Sequence, residues 1–132
     1  MTLEHINESA ENYLETILVL SKSLPAVRSI DVVHKLGFKK SSVSVAMKNL
    51  RESGHIIMDE NGYIHLTEAG HGIAAMVFER HELLTTWLTR LGVPEDIASE
   101  DACKLEHVLS KESYEAIKNV YTINKKDIRH QI

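Results

Sequence analysis

The sequence predicts a mainly α-helical protein: a winged helix-turn-helix half with a short β-hairpin wing, followed by an all-helical half. Two observations predict this order. Apolar residues recur three and four residues apart in several segments, and capping or helix-breaking residues bound each segment. Near the middle of the chain, two short runs of β-forming residues flank an Asn-Gly pair, which is the pattern of a tight hairpin.

The composition fits such a fold and excludes several classes of protein. Of the 132 residues, 43% are hydrophobic, and six glycines and two prolines are too few for a fibrous or linker-like chain. No apolar run approaches the roughly 20 residues of a membrane span. The opening MTLEHINESAENYLETILVL carries acids and no early base, unlike a signal peptide. A single cysteine, Cys103, excludes an internal disulfide framework. We therefore expect a soluble, cytoplasmic protein.

The first predicted helix covers residues from about 8 to 22. Its apolar positions follow the period of one helix face: Ala10, Tyr13, Leu14, Ile17 and Leu18. Leu24-Pro25 ends it, because the residue before a proline is pushed out of the helical conformation.

Two shorter helices follow. Ser29 is the expected N-cap of the second, Ile30 to Leu36, and Gly37 is its stop. Ser41 or Ser42 begins the third, which ends at Gly54. The third helix turns four apolar residues inward: Val43, Ala46, Met47 and Leu50.

The hairpin joins residues 55–58 to residues 63–66 around Asp59-Glu60-Asn61-Gly62. Thr67 then caps a long helix to about Leu91, which Gly92 and Pro94 close. Its apolar seam is Val77, His81, Leu84, Leu88 and Leu91. Ser99 is expected to cap a helix to about Leu109, and Ser110 to cap another to about Tyr121. The polar end from Asn124 to Ile132 has no periodicity, so we expect it to fray.

Charge divides the chain into three parts. Residues 1–21 hold four acids and no Lys or Arg, residues 22–57 hold seven Lys or Arg against two acids, and residues 58–132 hold eight against thirteen. A basic middle in a chain of net charge −4 is typical of a nucleic-acid-binding module joined to another function. A solvated basic face without a partner is the alternative.

The third helix carries the residues expected to bind DNA. Its outward side and N-terminus present Lys39, Lys40, Ser41, Ser42, Ser44, Lys48 and Arg51, and Ser29 on the second helix joins this set. Short hydroxyl side chains let a helix lie deep in the major groove, and a helix N-terminus favours a phosphate. The alternative, that three helices and a hairpin merely build a core, does not explain why bases and hydroxyls gather on one helix.

A second group predicts a metal site. Cys103, Glu106 and His107 stand at i, i+3 and i+4, so a helix places a thiol, a carboxylate and an imidazole on one side. At the rim of an apolar core these groups are costly to bury unless they share a partner. A divalent transition-metal ion would satisfy all three, and the thiolate disfavours Mg²⁺ and Ca²⁺.

Three further residues are candidate ligands. His81 lies in the apolar seam of the long helix, and the cluster on the next helix favours ligation over a structural role. Glu15 and Asn12 stand one turn apart on the first helix; a surface polar role is an equal alternative for Glu15 and the favoured one for Asn12. The other histidines are expected to be surface or structural residues: His5, His34, His55, His65, His71 and His130.

With these motifs the sequence resembles the diphtheria-toxin-repressor family of metal-dependent transcriptional regulators, especially its short two-domain, manganese-transport-regulator branch. The segments that carry the resemblance are AENYLETILVL, LTEAGHGIA, ERHELLTTWLTRLGV and DACKLEHVLS. The resemblance implies a winged helix-turn-helix DNA-binding domain over residues 1–70 and a helical dimerisation and metal-binding domain over residues 71–132. It also implies a homodimeric repressor that binds double-stranded, palindromic operator DNA when loaded with Fe²⁺ or Mn²⁺.

The resemblance also implies site residues. His81, Cys103, Glu106 and His107 match metal ligands of the family, and Glu15 matches a first-helix ligand of the manganese branch. Asn12 stands where the manganese branch has Asp and the iron branch has Met. Cys103 resembles the iron branch, because the manganese branch has Glu at that position. Three positions depart from the iron branch: Thr85 and Ser99, which replace the Glu and His of its ancillary site, and Val45, which replaces a Gln of its recognition helix.

The residues point to two different metals and to one mechanism. The thiolate favours iron, whereas the two-domain length and Glu15 favour manganese. An ion joining the first helix to the later ligands would set the spacing of two recognition helices on palindromic DNA. One alternative is a metal-independent winged-helix regulator that senses a small organic ligand or peptide, and another is a metalloenzyme. No general base or nucleophile motif accompanies the ligands, so we expect no enzymatic activity, no small-molecule substrate and no membrane partner.

Overall fold

A computed structural model describes residues 7–130 of the chain, and the side chains of residues 7–122. These residues form six helices and a two-stranded sheet: α1 (Glu8–Ser23), α2 (Ser29–Leu36), α3 (Lys40–Glu52), β1 (Ile56–Met58), β2 (Ile64–Leu66), α4 (Glu68–Arg90), α5 (Glu95–Val108) and α6 (Lys111–His130). The predicted class, a winged helix-turn-helix followed by helices, is confirmed. The chain divides into two compact units after Phe78, within α4.

The first unit packs α1, α2, α3, the hairpin and the start of α4 around one apolar core. Its buried residues come from every one of these elements: Tyr13, Leu14, Ile17, Leu18, Val27, Val32, Val43, Met47, Leu50, Ile56, Ile64, Ile73, Ala74 and Val77. The predicted inward faces of the first and third helices are therefore confirmed, with Ala46 packed at the core's edge. Because α3 uses one face for this core, its opposite face is left to solvent.

Helix ends in the first unit differ from the prediction by one or two residues. The N-cap of α2 is Arg28 rather than Ser29, because the carboxylate of Asp31 accepts a hydrogen bond from the Arg28 backbone N–H at 2.9 Å. The third helix begins at Lys40 rather than at Ser41 or Ser42, since the backbone carbonyl of Lys39 already accepts the first helical hydrogen bond. The predicted stop of α2 is confirmed at Gly37, whose φ of 71° suits a residue without a Cβ.

The predicted hairpin is present, with Ile57 of β1 opposite His65 of β2 in an antiparallel register. Gly62 has a φ of 79°, as a tight turn requires. Thr67 caps α4 as predicted: its hydroxyl accepts from the Gly70 N–H at 3.2 Å and donates to the Gly54 carbonyl at 2.7 Å. This pair of bonds ties the end of the wing to the loop that leaves α3.

The second unit contains the rest of α4 with α5 and α6. Its buried apolar residues are Leu84, Ala98, Ala102 and Tyr114. Ser110 caps α6 as predicted, since its hydroxyl accepts from the Ser113 N–H at 3.1 Å. None of the helices in the described part of the chain is both long and apolar enough to cross a bilayer.

Three predictions for the second unit are wrong. Ser99 lies inside α5 instead of capping it, because the extended Pro94 starts the helix and its carbonyl accepts from the Ala98 N–H at 2.8 Å. The last helix continues to His130 rather than ending near Tyr121, since no glycine or proline follows Ser110 to stop it. Leu91 lies beyond the end of α4 and is 66% exposed, so it does not extend the packed seam.

Candidate metal centre and DNA-binding helix

The second unit places a buried carboxylate between two imidazole rings. Glu106 of α5 puts Oε2 3.1 Å from Nδ1 of His81 on α4, and Oε1 3.4 Å from Nε2 of His107. The Glu106 side chain is wholly buried, and that of His107 is only 3% exposed. Three of the predicted ligands, from two helices, therefore form one cluster.

One buried oxygen of Glu106 lacks a hydrogen-bond donor in the described part of the chain, which suits a cation at this cluster. Among the described residues, its Oε1 accepts no hydrogen bond, and the contact with His107 is an ion-pair distance rather than a hydrogen bond. An ionised carboxylate without a full set of partners is expensive to bury. Imidazole nitrogens and a carboxylate oxygen are ligands that first-row divalent ions accept. The donor set and the unsatisfied oxygen thus suit a transition-metal ion.

Arg80, which precedes His81 on α4, holds the end of α5 in place. Its Nη1 donates to the backbone carbonyls of Glu106 at 3.2 Å and Leu109 at 3.0 Å, and its guanidinium stacks over the ring of Tyr114. A cation beside the C-terminal carbonyls of a helix is stabilising. The burial of Arg80 was not predicted from the sequence, although a charged residue beside the apolar seam of α4 was a signal for it.

A second polar contact joins α4 to α6. Lys118 Nζ donates to Glu79 Oε1 at 2.7 Å, and the hydroxyl of Tyr114 donates to the same oxygen at 3.2 Å. The hydrogen bond from Lys118 lowers the pKa of Glu79. Burial, reinforced by the charge of Glu79, raises the pKa of Tyr114 to about 12. Tyr114 therefore packs its ring under Arg80 while its hydroxyl is held by Glu79.

The remaining predicted ligands are Cys103 on α5 and Glu15 and Asn12 on α1, and Ser99 of α5 also lies near His81. Cys103 lies on α5 one turn before Glu106, and its side chain is exposed. Ser99 Oγ lies 3.4 Å from Nε2 of His81, on the side away from Glu106. Glu15 and Asn12 belong to α1 in the first unit, where both are half-buried. The ligand roles of Cys103, Glu15 and Asn12 stay predictions.

The exposed face of α3 is rich in basic and hydroxyl groups. The side chains predicted to bind DNA are all exposed on this helix or just before it: Lys39, Lys40, Ser41, Ser42, Ser44, Lys48 and Arg51. Ser29, at the start of α2, is half-buried. Lys48 and Glu52 approach to 4.0 Å, but both side chains are about two-thirds exposed, so this pair holds Lys48 only weakly. The helix can therefore offer its cations to another molecule.

The wing has its own polar anchor. The carboxylate of Asp59 accepts from the backbone N–H groups of Asn61 and Tyr63, and its other oxygen lies 2.9 Å from Nε2 of His65. The hydrogen bond to His65 lowers the pKa of Asp59. Arg28 donates to the hydroxyl of Tyr63 at 3.0 Å, which ties the wing to the start of α2.

The histidines outside the cluster are surface or structural, as predicted, wherever their side chains are described. His34, His65 and His71 are exposed, and the buried His55 has Nδ1 2.6 Å from the Ser53 hydroxyl. His5 lies outside the described residues, as does the side chain of His130.

A winged helix-turn-helix with a basic helix, followed by a helical unit with a buried imidazole–carboxylate cluster, is the arrangement expected of a metal-dependent DNA-binding transcriptional regulator. Comparison with known families names the group. Residues 5–71 match the iron-dependent repressor N-terminal DNA-binding domain, and residues 67–130 match the iron-dependent repressor metal-binding and dimerisation domain. The chain belongs to this family of repressors, so the resemblance inferred from the sequence is confirmed.

Individual relatives agree with this assignment. The uncharacterised HTH-type transcriptional regulator MJ0568 of Methanocaldococcus jannaschii is 34% identical over 115 residues, which are 86% of this chain and 92% of the relative. The transcriptional regulator MntR of Escherichia coli O6:H1 is 32% identical over 114 residues, 86% of this chain and 74% of the relative.

A solved structure of a manganese-dependent transcriptional repressor in complex with manganese is similar with a TM-score of 0.76 and 28% identity. The match covers 83% of this chain and 51% of that one, so the chain spans about half the length of that repressor.

Proposed function

We propose that this chain is a metal-gated repressor that binds palindromic operator DNA as a homodimer when loaded with Fe²⁺ or Mn²⁺. The observation that carries the proposal is the buried Glu106 carboxylate between His81 and His107, one oxygen of which accepts no hydrogen bond among the described residues. The exposed basic face of α3 supports the DNA-binding half of the proposal.

The proposed ligands are His81, Glu106 and His107, together with Cys103 on α5 and with Glu15 and Asn12 on α1. A bound divalent ion would supply positive charge that stabilises the buried carboxylate and holds the ligands in one arrangement. Arg80 keeps the last turn of α5, which carries Glu106 and His107, against α4. Preorganising the ligands in this way reduces the ordering cost of binding the ion.

On the DNA side, the proposed roles follow from chemistry and position. Lys39, Lys40, Lys48 and Arg51 would neutralise phosphates, and the hydroxyls of Ser41, Ser42 and Ser44 would hydrogen-bond phosphates or base edges. Ser29, at the N-terminus of α2, would add a phosphate contact. A second copy of the chain would bind the other half of a palindromic site.

The gating follows from linkage. The proposed ligands come from α1 of the DNA-binding half as well as from α4 and α5, so the free energies of metal binding and DNA binding are expected to be coupled. The coupling is reciprocal, and about 1–3 kcal/mol is enough for a useful switch. The proposal also makes the chain a cytoplasmic regulator without enzymatic activity, small-molecule substrate or membrane partner.

The test is an anaerobic, thiol-reducing titration of a fluorescent duplex by fluorescence anisotropy. The duplex is selected from a random DNA pool with the Mn²⁺-supplied chain, and its affinity is measured with Mn²⁺, Fe²⁺, Zn²⁺ and chelator. We expect tight binding only with metal, and a steep loss of affinity as salt rises, because phosphate contacts release counterions.

Two variants sharpen the test. Glu106→Gln should abolish the metal-dependent gain in affinity, whereas Glu112→Gln, an exposed carboxylate at the start of α6, should keep it. Equal operator affinity with metal and with chelator in the unmodified chain would contradict gating and favour a metal-independent regulator.

A further inference from the structure

One apolar side chain on the DNA-binding helix has no place in the core. Val45 of α3 is 59% exposed, whereas the apolar residues Val43, Met47 and Leu50 of the same helix are buried. A β-branched residue loses side-chain freedom in a helix, so Val45 does not serve local helix stability. Its exposed methyl groups are also unfavourable in water.

The surroundings of Val45 are polar. Ser41 and Ser42 stand one turn before it and Asn49 one turn after it, and all three side chains are exposed. These four residues line an open groove together with Ser9 and Tyr13 of α1 and with Ala46, which is partly buried against the core. Val45 is thus an apolar spot in the centre of a face made of hydroxyl and amide groups, with the cations Lys48 and Arg51 along its edge.

Such a face matches the chemistry of the major groove. Base pairs present hydrogen-bond donors and acceptors there, and the one apolar group among them is the C5-methyl of thymine. An exposed valine that is flanked by hydrogen-bonding side chains and by cations therefore has a natural contact on duplex DNA. A protein partner would require a continuous apolar patch, and the exposed side chains one turn before and one turn after Val45 are polar.

We propose that Val45 is a specificity-determining residue that contacts the C5-methyl group of a thymine in each operator half-site. The inference rests on the proposed function, because it assumes that α3 enters the major groove. It goes further by naming the base feature that this helix recognises through an apolar contact, with Ser42 and Asn49 placed to hydrogen-bond the neighbouring base edges.

The experiment removes the methyl group without disturbing base pairing. In the selected duplex, each thymine is replaced in turn by deoxyuridine, and the affinity of the metal-loaded chain is measured for every substituted duplex. At one position per half-site we expect about fourfold weaker binding for each methyl lost, the effect of exposing one methyl-sized apolar group.

A double-mutant cycle then assigns the contact. Val45→Ala changes both subunits of the dimer, so it should bind the thymine duplex as weakly as the unmodified chain binds a duplex with deoxyuridine in both half-sites, and it should be insensitive to the substitution. Lys48→Ala is the matched control on the same helix: it should weaken binding to both duplexes equally, lower the salt slope by about 1 for each subunit and keep the methyl dependence. Circular dichroism should show that both variants retain the helical fold.

The outcomes separate the two proposals. Tight binding that is unaffected by deoxyuridine at every position overturns the role of Val45 and leaves the proposed function standing. The role is also overturned if Val45→Ala still binds the deoxyuridine duplex more weakly than the thymine duplex, by the same factor as the unmodified chain. The methyl dependence would then come from another residue. A metal-loaded chain that selects no duplex overturns the proposed function and this inference with it.

Discussion

Arg80 Nη1 donates to the backbone carbonyl of Leu109 at 3.0 Å, so a buried guanidinium on α4 closes the C-terminal end of α5. The same nitrogen donates to the carbonyl of Glu106 at 3.2 Å. Arg80 is next to His81 in the chain, so these bonds connect the segment of α4 that carries one candidate ligand to the backbone of another, Glu106. The position of Glu106 therefore depends on a residue that is not itself a ligand.

Replacing Arg80 tests this connection. We expect Arg80→Gln to lower the free energy of unfolding by about 1–3 kcal/mol, because two buried carbonyls lose a charged donor. It should also weaken binding of Mn²⁺ to the chain alone, measured by calorimetry. Arg80→Lys should recover part of both losses.

The control is Arg90→Gln, which removes an exposed cation that stacks on Tyr121 and should change stability by less than about 0.5 kcal/mol. Unchanged stability and metal affinity in Arg80→Gln would show that the hydrogen bonds from Arg80 to α5 do not position Glu106.

Metal binding should be visible as thermal stabilisation. A ligand that binds only the folded state adds about 2.7 kcal/mol at 100 times its Kd, so Mn²⁺ or Fe²⁺ should raise the Tm of the chain. His107→Gln should lose this rise because it removes a side chain that contacts Glu106. His71→Gln, which removes an exposed imidazole from α4, should retain it. A full metal-induced shift in His107→Gln would remove His107 from the ligand set.

Two glycines on α4 should respond in opposite ways to alanine. A Cβ on Gly70 would collide with the backbone carbonyl of His55, whereas a Cβ on Gly72 would meet nothing within 4 Å. Gly70→Ala should therefore cost about 1–3 kcal/mol through overpacking. Gly72→Ala should stabilise the chain by about 0.5–1 kcal/mol through helix propensity. Chemical unfolding curves measure both, and a stabilised Gly70→Ala variant would contradict the close packing of α4 on the wing loop.

The chain should lose stability at alkaline pH through Tyr114. Burial raises its pKa from the ordinary value of 10.0 to about 12, so the folded state retains the phenol proton that the unfolded state releases. The contribution is therefore complete below pH 10.0 and disappears as the pH rises toward 12. Burial also raises the pKa of Tyr13. In an ultraviolet titration of the four tyrosines, Tyr114→Phe should therefore lose the ionisation near pH 12, and Tyr63→Phe should keep it. A Tyr114→Phe variant that keeps the ionisation near pH 12 would disprove the assignment.

Much of the fold was predictable because the signals are local. The apolar period of α1, the stop at Gly37, the Asn61-Gly62 turn and the cap at Thr67 each depend on neighbours within a few residues. Competing local signals account for the errors. Ser99 is a good N-cap residue, but Pro94 comes first and its backbone already starts α5.

The candidate site was predictable only in part. Helical spacing brings Cys103, Glu106 and His107 toward one side of α5, but it does not say how deeply each is buried. Packing of the unit leaves Cys103 exposed and buries Glu106 completely. The spacing found the cluster, and the burial that makes Glu106 the distinctive residue came from tertiary contacts.

By itself, the sequence determined the order of the helices, the hairpin, the basic recognition face and the identity of the candidate ligands, because periodicity, caps and charge act over a few residues. Only the tertiary structure decided that Glu106 lies between His81 and His107 and that Arg80 binds the carbonyls of Glu106 and Leu109. These contacts join His81 and Arg80 to residues 25 to 29 positions later in the chain. Such pairings depend on how α4 and α5 pack, and no local pattern encodes that geometry.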